Sequence, residues 1–190
     1  MTRDEILEAA AQIFREKGFH AASMQDIAEA VNLQKASLYY HVSSKQEILL
    51  DLLNRAMDLL IEQIEQSTAH AYPPDVKIRQ AIDAYLQTML ENRDLAAVLL
   101  LEHRSLEPQY HARHIPRRDR FERLWRDLIL EGQEQGVFAC ADPAVAARYL
   151  MGVMNWTITW YRPEGSLSPG DLAAQYGDLF LAGLLRREDG

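Results

Sequence analysis

The amino-acid sequence predicts an all-α protein of about nine helices, and three observations carry that expectation. Apolar residues recur at helical spacing along almost the whole chain. The nine glycines and seven prolines sit where they punctuate helices rather than interrupt them. Strand-like alternation is scarce, and neither an internal repeat nor a low-complexity segment is found.

Thr2 opens the first helix, its hydroxyl placed to cap and Glu5 placed to reach back. Ile6, Leu7, Ala10, Ile13 and Phe14 share one face, and Gly18 ends the helix. Ser23 starts a second, short helix with Asp26 at the third position; Met24, Ile27 and Ala28 point inward. Val31-Asn32-Leu33 makes a turn, and a third helix covers about Gln34 to Tyr40. Ser44 opens a long fourth helix, Glu47 completes another capping box, and Pro73-Pro74 marks its far boundary. Lys77 to Asn92 and Leu95 to Leu106 form a helix pair broken near Asn92-Arg93-Asp94. Pro108 and Pro116 bracket an irregular joint rich in His and Arg, after which Arg117 to Gln135 is helical and stops at Gly136. Asp142-Pro143 and Ser168-Pro169 each pair an N-cap with proline at the first helical position. The two helices they start run to about Tyr161 and Leu185.

Composition bounds the function. At 190 residues the chain fits one or two domains with a sizeable core. A formal charge of −8 argues against indiscriminate nucleic-acid binding, so any DNA contact must be local. Cys140 stands alone, which excludes an internal disulfide and a thiolate zinc cluster. No apolar run approaches the roughly 20 residues that span a bilayer. MTRDEILEAA carries acids where a signal peptide has a basic start, so a cytoplasmic protein without a membrane partner is expected.

Against the acidic background one segment stands apart. Ala30 to Gln46 holds two lysines and a histidine but no Asp or Glu. Gln34, Lys35, Ser37, Tyr39, Tyr40, His41 and Lys45 crowd into it, all side chains that bond phosphates or base edges. Two short helices joined by a tight turn, the second polar, form the arrangement that lays a recognition helix in the DNA major groove.

The run from Thr2 to Leu49 also resembles the TetR family of transcriptional regulators, through ILEAAAQIFREKGF, ASMQDIAEAV and KASLYYHVSSKQEIL in that order. The resemblance implies a helix-turn-helix DNA-binding domain over 1–47 and a ligand-binding and dimerisation domain over 48–190, joined by the long fourth helix. It implies that Ser23 meets a phosphate and that Gln34, Lys35 and Ser37 face bases. Tyr39, Tyr40 and His41 would close over the sugar-phosphate backbone, and Lys45 would anchor a phosphate at the start of the fourth helix. Gln suits adenine and Lys suits guanine. Two positions depart from the family pattern: Val42 replaces a usual Phe, and Leu33 a small hydroxyl residue whose cap is then missing. Tyr39 stands equally as core packing against the first helix.

A reader of this size touches one half-site, so two copies are needed, and the last two helices are the expected homodimer surface. Gly152, Gly177, Ala182 and Gly183 there permit close helix approach. Between His103 and Arg126 lie seven arginines, three histidines and only three acids. With LLLEHRSL and NWTITWYRPEG, this region resembles the branch of TetR regulators that senses acyl-CoA thioesters. The ligand residues so implied are His103, Arg104, Tyr110, Arg117, Arg118, Phe121, Trp125, Asn155, Trp156, Trp160 and Arg162. Alternatives stand beside this: Trp125 and Trp156 as plain core, and arginines paired with Asp119, Glu122 and Asp127. His103, His111 and His114 lack a Cys or acid at ligand spacing, so no metal or cofactor is expected.

The expectation is therefore a ligand-responsive homodimeric repressor that binds a palindromic double-stranded operator and is released by a small-molecule effector, an acyl-CoA thioester of a catabolic pathway. A drug or free fatty acid is the alternative effector, and a helical protein-interaction module the remote alternative function. No nucleophile elbow, phosphate loop or dinucleotide fingerprint is present, so no enzyme is expected.

Overall fold

The computed structural model of the protein describes residues 2–185. Among these, nine α-helices form: α1 (Arg3–Lys17), α2 (Met24–Ala30), α3 (Lys35–Leu38), α4 (Lys45–Ser67), α5 (Pro74–Glu91), α6 (Arg93–Ala97), α7 (Pro108–Glu134), α8 (Pro143–Trp160) and α9 (Pro169–Leu184). The described residues contain no strand; Phe138 and Leu185 make an isolated antiparallel bridge. The last five residues of the segment expected to reach 190 lie outside the described chain.

The caps do what the sequence implies. Thr2 and Ser23 close capping boxes with Glu5 and Asp26, and Ser168 closes one with Asp171. The Asp142 carboxylate accepts from the amides of Ala144 and Val145. At α4 the arrangement shifts by one residue. The Ser44 hydroxyl accepts from the Glu47 amide at 3.1 Å, but the Glu47 carboxylate is bonded by the Ser43 hydroxyl.

Three stretches differ from expectation. The helix expected over Gln34–Tyr40 is one turn long, with Gln34 at its N-cap and no side-chain cap. It ends early because the Ser37 and Leu38 carbonyls take the following amides in turn-like bonds. The helix expected over Leu95–Leu106 changes character: α6 widens into a π-helical turn at Val98–Glu102 and tightens into a 3-10 turn at His103–Ser105. The irregular joint between Pro108 and Pro116 is instead helix. Pro108 occupies the first position of α7, where a missing N–H costs nothing, and Pro116 is carried on the exposed side of a continuous helix.

The chain forms two compact units. The first comprises the residues up to Asp58 together with Asn92–Arg118; the second comprises Leu59–Glu91 and the residues from Asp119 onward. In the first, α1 packs on α2 and α6, and α2 on α3. Ile6, Phe14, Ile27, Leu38 and Ile48 are almost fully buried there. Gly18, at a φ of 78°, ends α1 in a backbone conformation that glycine adopts without strain. In the second, α5 packs on α9 and α8, with Ile78, Ile82, Tyr85, Trp125 and Leu181 buried. Gly132 is required in α7, because a Cβ there would stand 2.0 Å from the Phe138 ring.

Candidate DNA-reading face and helical interior

The α2–turn–α3 unit is set by local bonds. Asn32 takes a left-handed φ of 54°, and the Leu33 amide returns to the Ala28 carbonyl at 2.8 Å. Asn tolerates that conformation better than most residues, so the tight turn costs little. Leu38 and Val42 are buried and fix the rotation of α3, which leaves Gln34, Lys35 and Tyr40 outward. Tyr40 is 91 % exposed and Tyr39 47 %, so neither is core. Ser37 and His41 are half-buried at the edge of this face. Arg3 ties its end down: one guanidinium nitrogen donates to the His41 carbonyl at 2.5 Å and the other bonds Asp51.

Ser23 is exposed but engaged in its capping box. Its hydroxyl donates to the Asp26 carboxylate at 2.7 Å and accepts from the Asp26 amide at 3.1 Å. Lys17 lies 2.6 Å from the same carboxylate, and chiefly that ammonium holds Asp26 far below the usual carboxylate range. Lys45 is spent differently from expectation. Its ammonium donates to the carbonyls of Phe19 at 2.7 Å and Ala22 at 2.6 Å, and lies 4.4 Å from the Phe19 ring centroid. Burial lowers its pKa. Lys45 thus fastens the start of α4 to the turn that precedes α2, a use no spacing in the sequence announces.

The residues expected at a ligand separate into groups. In the first unit, His103 is half-buried, Arg104 and Arg118 are exposed, and Arg117 pairs with Asp58 at 2.9 Å. Tyr110, half-buried, brings its hydroxyl within 3.5 Å of Ser44, with Arg113 6.0 Å from its ring centroid. Gln46 and His114 are additional to the expected set. The Gln46 side chain donates to the Ser105 carbonyl at 2.9 Å and accepts from the Glu107 amide at 3.1 Å. His114, 4 % exposed, shares a 3.0 Å bond with Asn54, and burial first, then His111 and Arg118, lowers its pKa to about 4.

In the second unit, Phe121 and Trp125 are buried around Tyr85, with ring centroids 6.0 and 6.1 Å from it. The Tyr85 hydroxyl donates to Asn155 Oδ1 at 2.5 Å. Burial pushes the phenol well above its ordinary pKa, so it stays a neutral donor. Among the described residues, the buried Trp125 Nε1 and Gln80 Oε1 find no hydrogen-bond partner. Tyr85 was not singled out by sequence because on α5 it continues an ordinary buried stripe with Ile78, Ile82 and Met89, and the half-buried Gln80 carries no motif. Trp156, Trp160 and Arg162 do not join this interior. They are exposed, Trp156 at 67 %, and the two tryptophans line an open groove of about 500 Å³ with Tyr149, Gly152, Val153 and Tyr176.

A three-helix head with an outward, acid-free recognition helix, in a chain whose later helices enclose aromatic residues and unpaired polar atoms, defines a helix-turn-helix regulator with an effector-binding part. Comparison with known proteins agrees. Residues 6–52 match the family described as bacterial regulatory proteins of the tetR family, and residues 71–184 match the tetracyclin repressor-like C-terminal domain. The chain belongs to the TetR family and is a ligand-responsive transcriptional regulator of that type. It is similar to the HTH-type transcriptional repressor KstR2 of Mycobacterium tuberculosis H37Rv, 27 % identical over 97 % of this chain and 93 % of that one. The crystal structure of PfmR, a TetR family regulator from Thermus thermophilus, superposes with a TM-score of 0.86 at 39 % identity, covering 95 % of this chain and 99 % of PfmR. AibR, solved with isovaleryl coenzyme A and operator DNA, superposes at 0.82 with 27 % identity, covering 96 % and 97 %. No helix among the described residues is long and apolar enough to cross a membrane.

Proposed function

We propose that the chain is a homodimeric repressor that reads a palindromic operator through α3 and is released by an acyl-CoA thioester. The observation that carries the DNA assignment is the outward placement of Gln34, Lys35 and Tyr40 on a helix fixed from behind by Leu38 and Val42. Gln34 and Lys35 reach base edges, Ser37 supports them, and Tyr39, Tyr40 and His41 lie along the phosphates. Ser23 is assigned a place beside a phosphate at the start of α2, where it is exposed while its amide and hydroxyl donate to the Asp26 carboxylate. Lys45 contributes by positioning the head rather than by direct phosphate contact, since two of its three donors are already taken.

The effector assignment rests on similarity to AibR, which was solved with isovaleryl coenzyme A, over nearly the full length of both chains. Phe121, Trp125 and Asn155, with Tyr85, are the residues we assign to the acyl part. The dimer is assigned to α8 and α9, where Val145, Tyr149, Val153, Trp156 and Leu179 present apolar surface to solvent.

The test is fluorescence anisotropy of the full chain on its own promoter fragment, titrated with isovaleryl-CoA, longer acyl-CoA thioesters, the matching free acids and free CoA. Release by a thioester at concentrations where acid and CoA do nothing supports the assignment. Release by the free acid alone removes the thioester from it. Lys35→Ala should weaken operator binding by about tenfold. Retained affinity in that variant would remove α3 as the reading helix.

A further inference from the structure

The turn between α3 and α4 is tied down by acids, although the segment that holds it excludes them. Ala30 to Gln46 carries no Asp or Glu, yet directly after it α4 places two carboxylates one turn apart, Glu47 and Asp51, both half-buried. Acids this near a polyanion weaken binding by repulsion unless they do something else there.

Their partners explain their place. The Ser43 hydroxyl donates to the Glu47 carboxylate. One guanidinium nitrogen of Arg3 bonds Asp51, and the other donates to the His41 carbonyl at 2.5 Å. Val42, between the two tied residues, is buried. Three consecutive residues after Tyr40 are therefore fixed in turn, by Arg3, by the core and by Glu47. Docking of α1 on α4 has a pair of its own, since Arg55 lies 3.3 Å from Asp4 and 3.8 Å from Glu8. What Arg3 adds is a hold on the backbone one residue past Tyr40. That side chain is almost wholly exposed, so its direction follows from the backbone of this turn rather than from packing.

We propose that Arg3 and Asp51 are positioning residues for operator binding: Asp51 aims the Arg3 guanidinium, and Arg3 holds the Tyr39–His41 turn where it lies along the phosphates. This rests on the reading of that turn as the phosphate-facing part of the head. Arg3 then acts through the backbone and not as a phosphate contact, and Asp51 favours DNA binding despite its charge. The sign separates this from plain electrostatics. Removing an acid beside a polyanion ordinarily tightens binding, whereas removing this one loosens it.

The experiment measures binding of the full chain to a labelled duplex from its own promoter, and to an unrelated duplex of equal length, over a range of KCl concentrations. Asp51→Ala keeps a good helix former in α4, and Glu47→Gln removes an equal charge while leaving an acceptor for Ser43. Asp51→Ala should weaken operator binding by about threefold per head, hence about tenfold for two heads, with unrelated DNA bound at least as tightly as before. Its Tm should move by no more than about 3 °C, because a largely solvated pair contributes little to folding. Arg3→Gln should weaken operator binding with an unchanged log–log salt slope, where a lost phosphate contact would lower the slope by about one per head. In the Arg3→Gln background, Asp51→Ala should weaken binding no further. Asp51→Ala binding the operator as tightly as Glu47→Gln, a lowered slope in Arg3→Gln, or full additivity of the two substitutions each overturns the inference. Tyr40→Ala separates it from the reading beneath it. Weak binding by Tyr40→Ala with Asp51→Ala undisturbed keeps the phosphate-facing turn and discards this tie. Full affinity in Tyr40→Ala discards the turn, and the tie with it.

Discussion

His114 illustrates how one side chain ties packing to pH. It is on α7, 4 % exposed, and shares a 3.0 Å bond with Asn54 of α4, while His103, His111, Arg117 and Arg118 surround it with positive potential. Burial above all holds its pKa near 4, against 6.5 in the unfolded chain. The unfolded state therefore binds the extra proton first as pH falls, so His114 favours folding fully above 6.5 and loses that contribution between 6.5 and about 4. The loss should be on the order of 2 kcal/mol, read as a falling urea midpoint across that window. His114→Gln, which can still bond Asn54, should flatten the dependence above pH 4. The Asp26 carboxylate, held low mainly by Lys17, resists protonation well below that window. An unchanged slope in His114→Gln would assign the acid sensitivity elsewhere. At this scale the sequence was a partial guide. Gln34, Lys35 and Tyr40 stand outward, as an acid-free polar segment suggested, because exposure follows from the apolar positions beside them. Lys45 was not legible: a lysine near a helix start looks the same whether it meets a phosphate or two backbone carbonyls 23 and 26 positions back.

Elements follow their caps more faithfully than their interiors. Thr2, Ser23, Asp142 and Ser168 each begin a helix where a side-chain oxygen and a nearby acid or proline specify it, since unsatisfied amides at a helix start demand a local partner. The π-helical turn at Val98–Glu102 has no such local signature. Leu99, Leu100 and Leu101 are apolar on every side, so the pattern there has no phase to betray an inserted residue. Pro116 misleads in the opposite direction, because a missing amide weakens a helix without having to end one. That weakness is measurable. Pro116→Ala restores the amide that can reach the Ala112 carbonyl and removes the ring clash in the preceding turn. The variant should gain about 1–3 kcal/mol, seen as a higher denaturation midpoint with an unchanged slope. No gain would mean that the proline costs α7 nothing at this exposed position.

For the whole molecule the open question is assembly, and the surface of α8 and α9 bears on it most directly. Leu179 is 75 % exposed and Tyr149 65 %, and a Cβ on Gly152 or Gly183 would meet nothing within 4 Å. Apolar side chains interleaved with small residues on two adjacent helices leave room for a second helix pair to approach closely, which is how a twofold bundle buries such a face. The three tryptophans of the chain divide by the same logic. Trp125 is enclosed, whereas Trp156 and Trp160 are exposed along the groove; hydrophobicity alone could not separate them. The proposed assembly makes two readouts move together. Leu179→Glu places a like charge on both halves of a twofold interface while leaving the folded subunit intact, because the residue is solvent-exposed. Sedimentation should show a monomer, with thermal unfolding broadened or lowered by the lost partner. Operator affinity should fall by about a hundredfold or more, because a single head addresses one half-site. A variant that stays dimeric, or a monomer that binds the operator at full strength, would remove α8 and α9 as the surface that sets the spacing of the two recognition helices. Any effector acting through that spacing would then need another route.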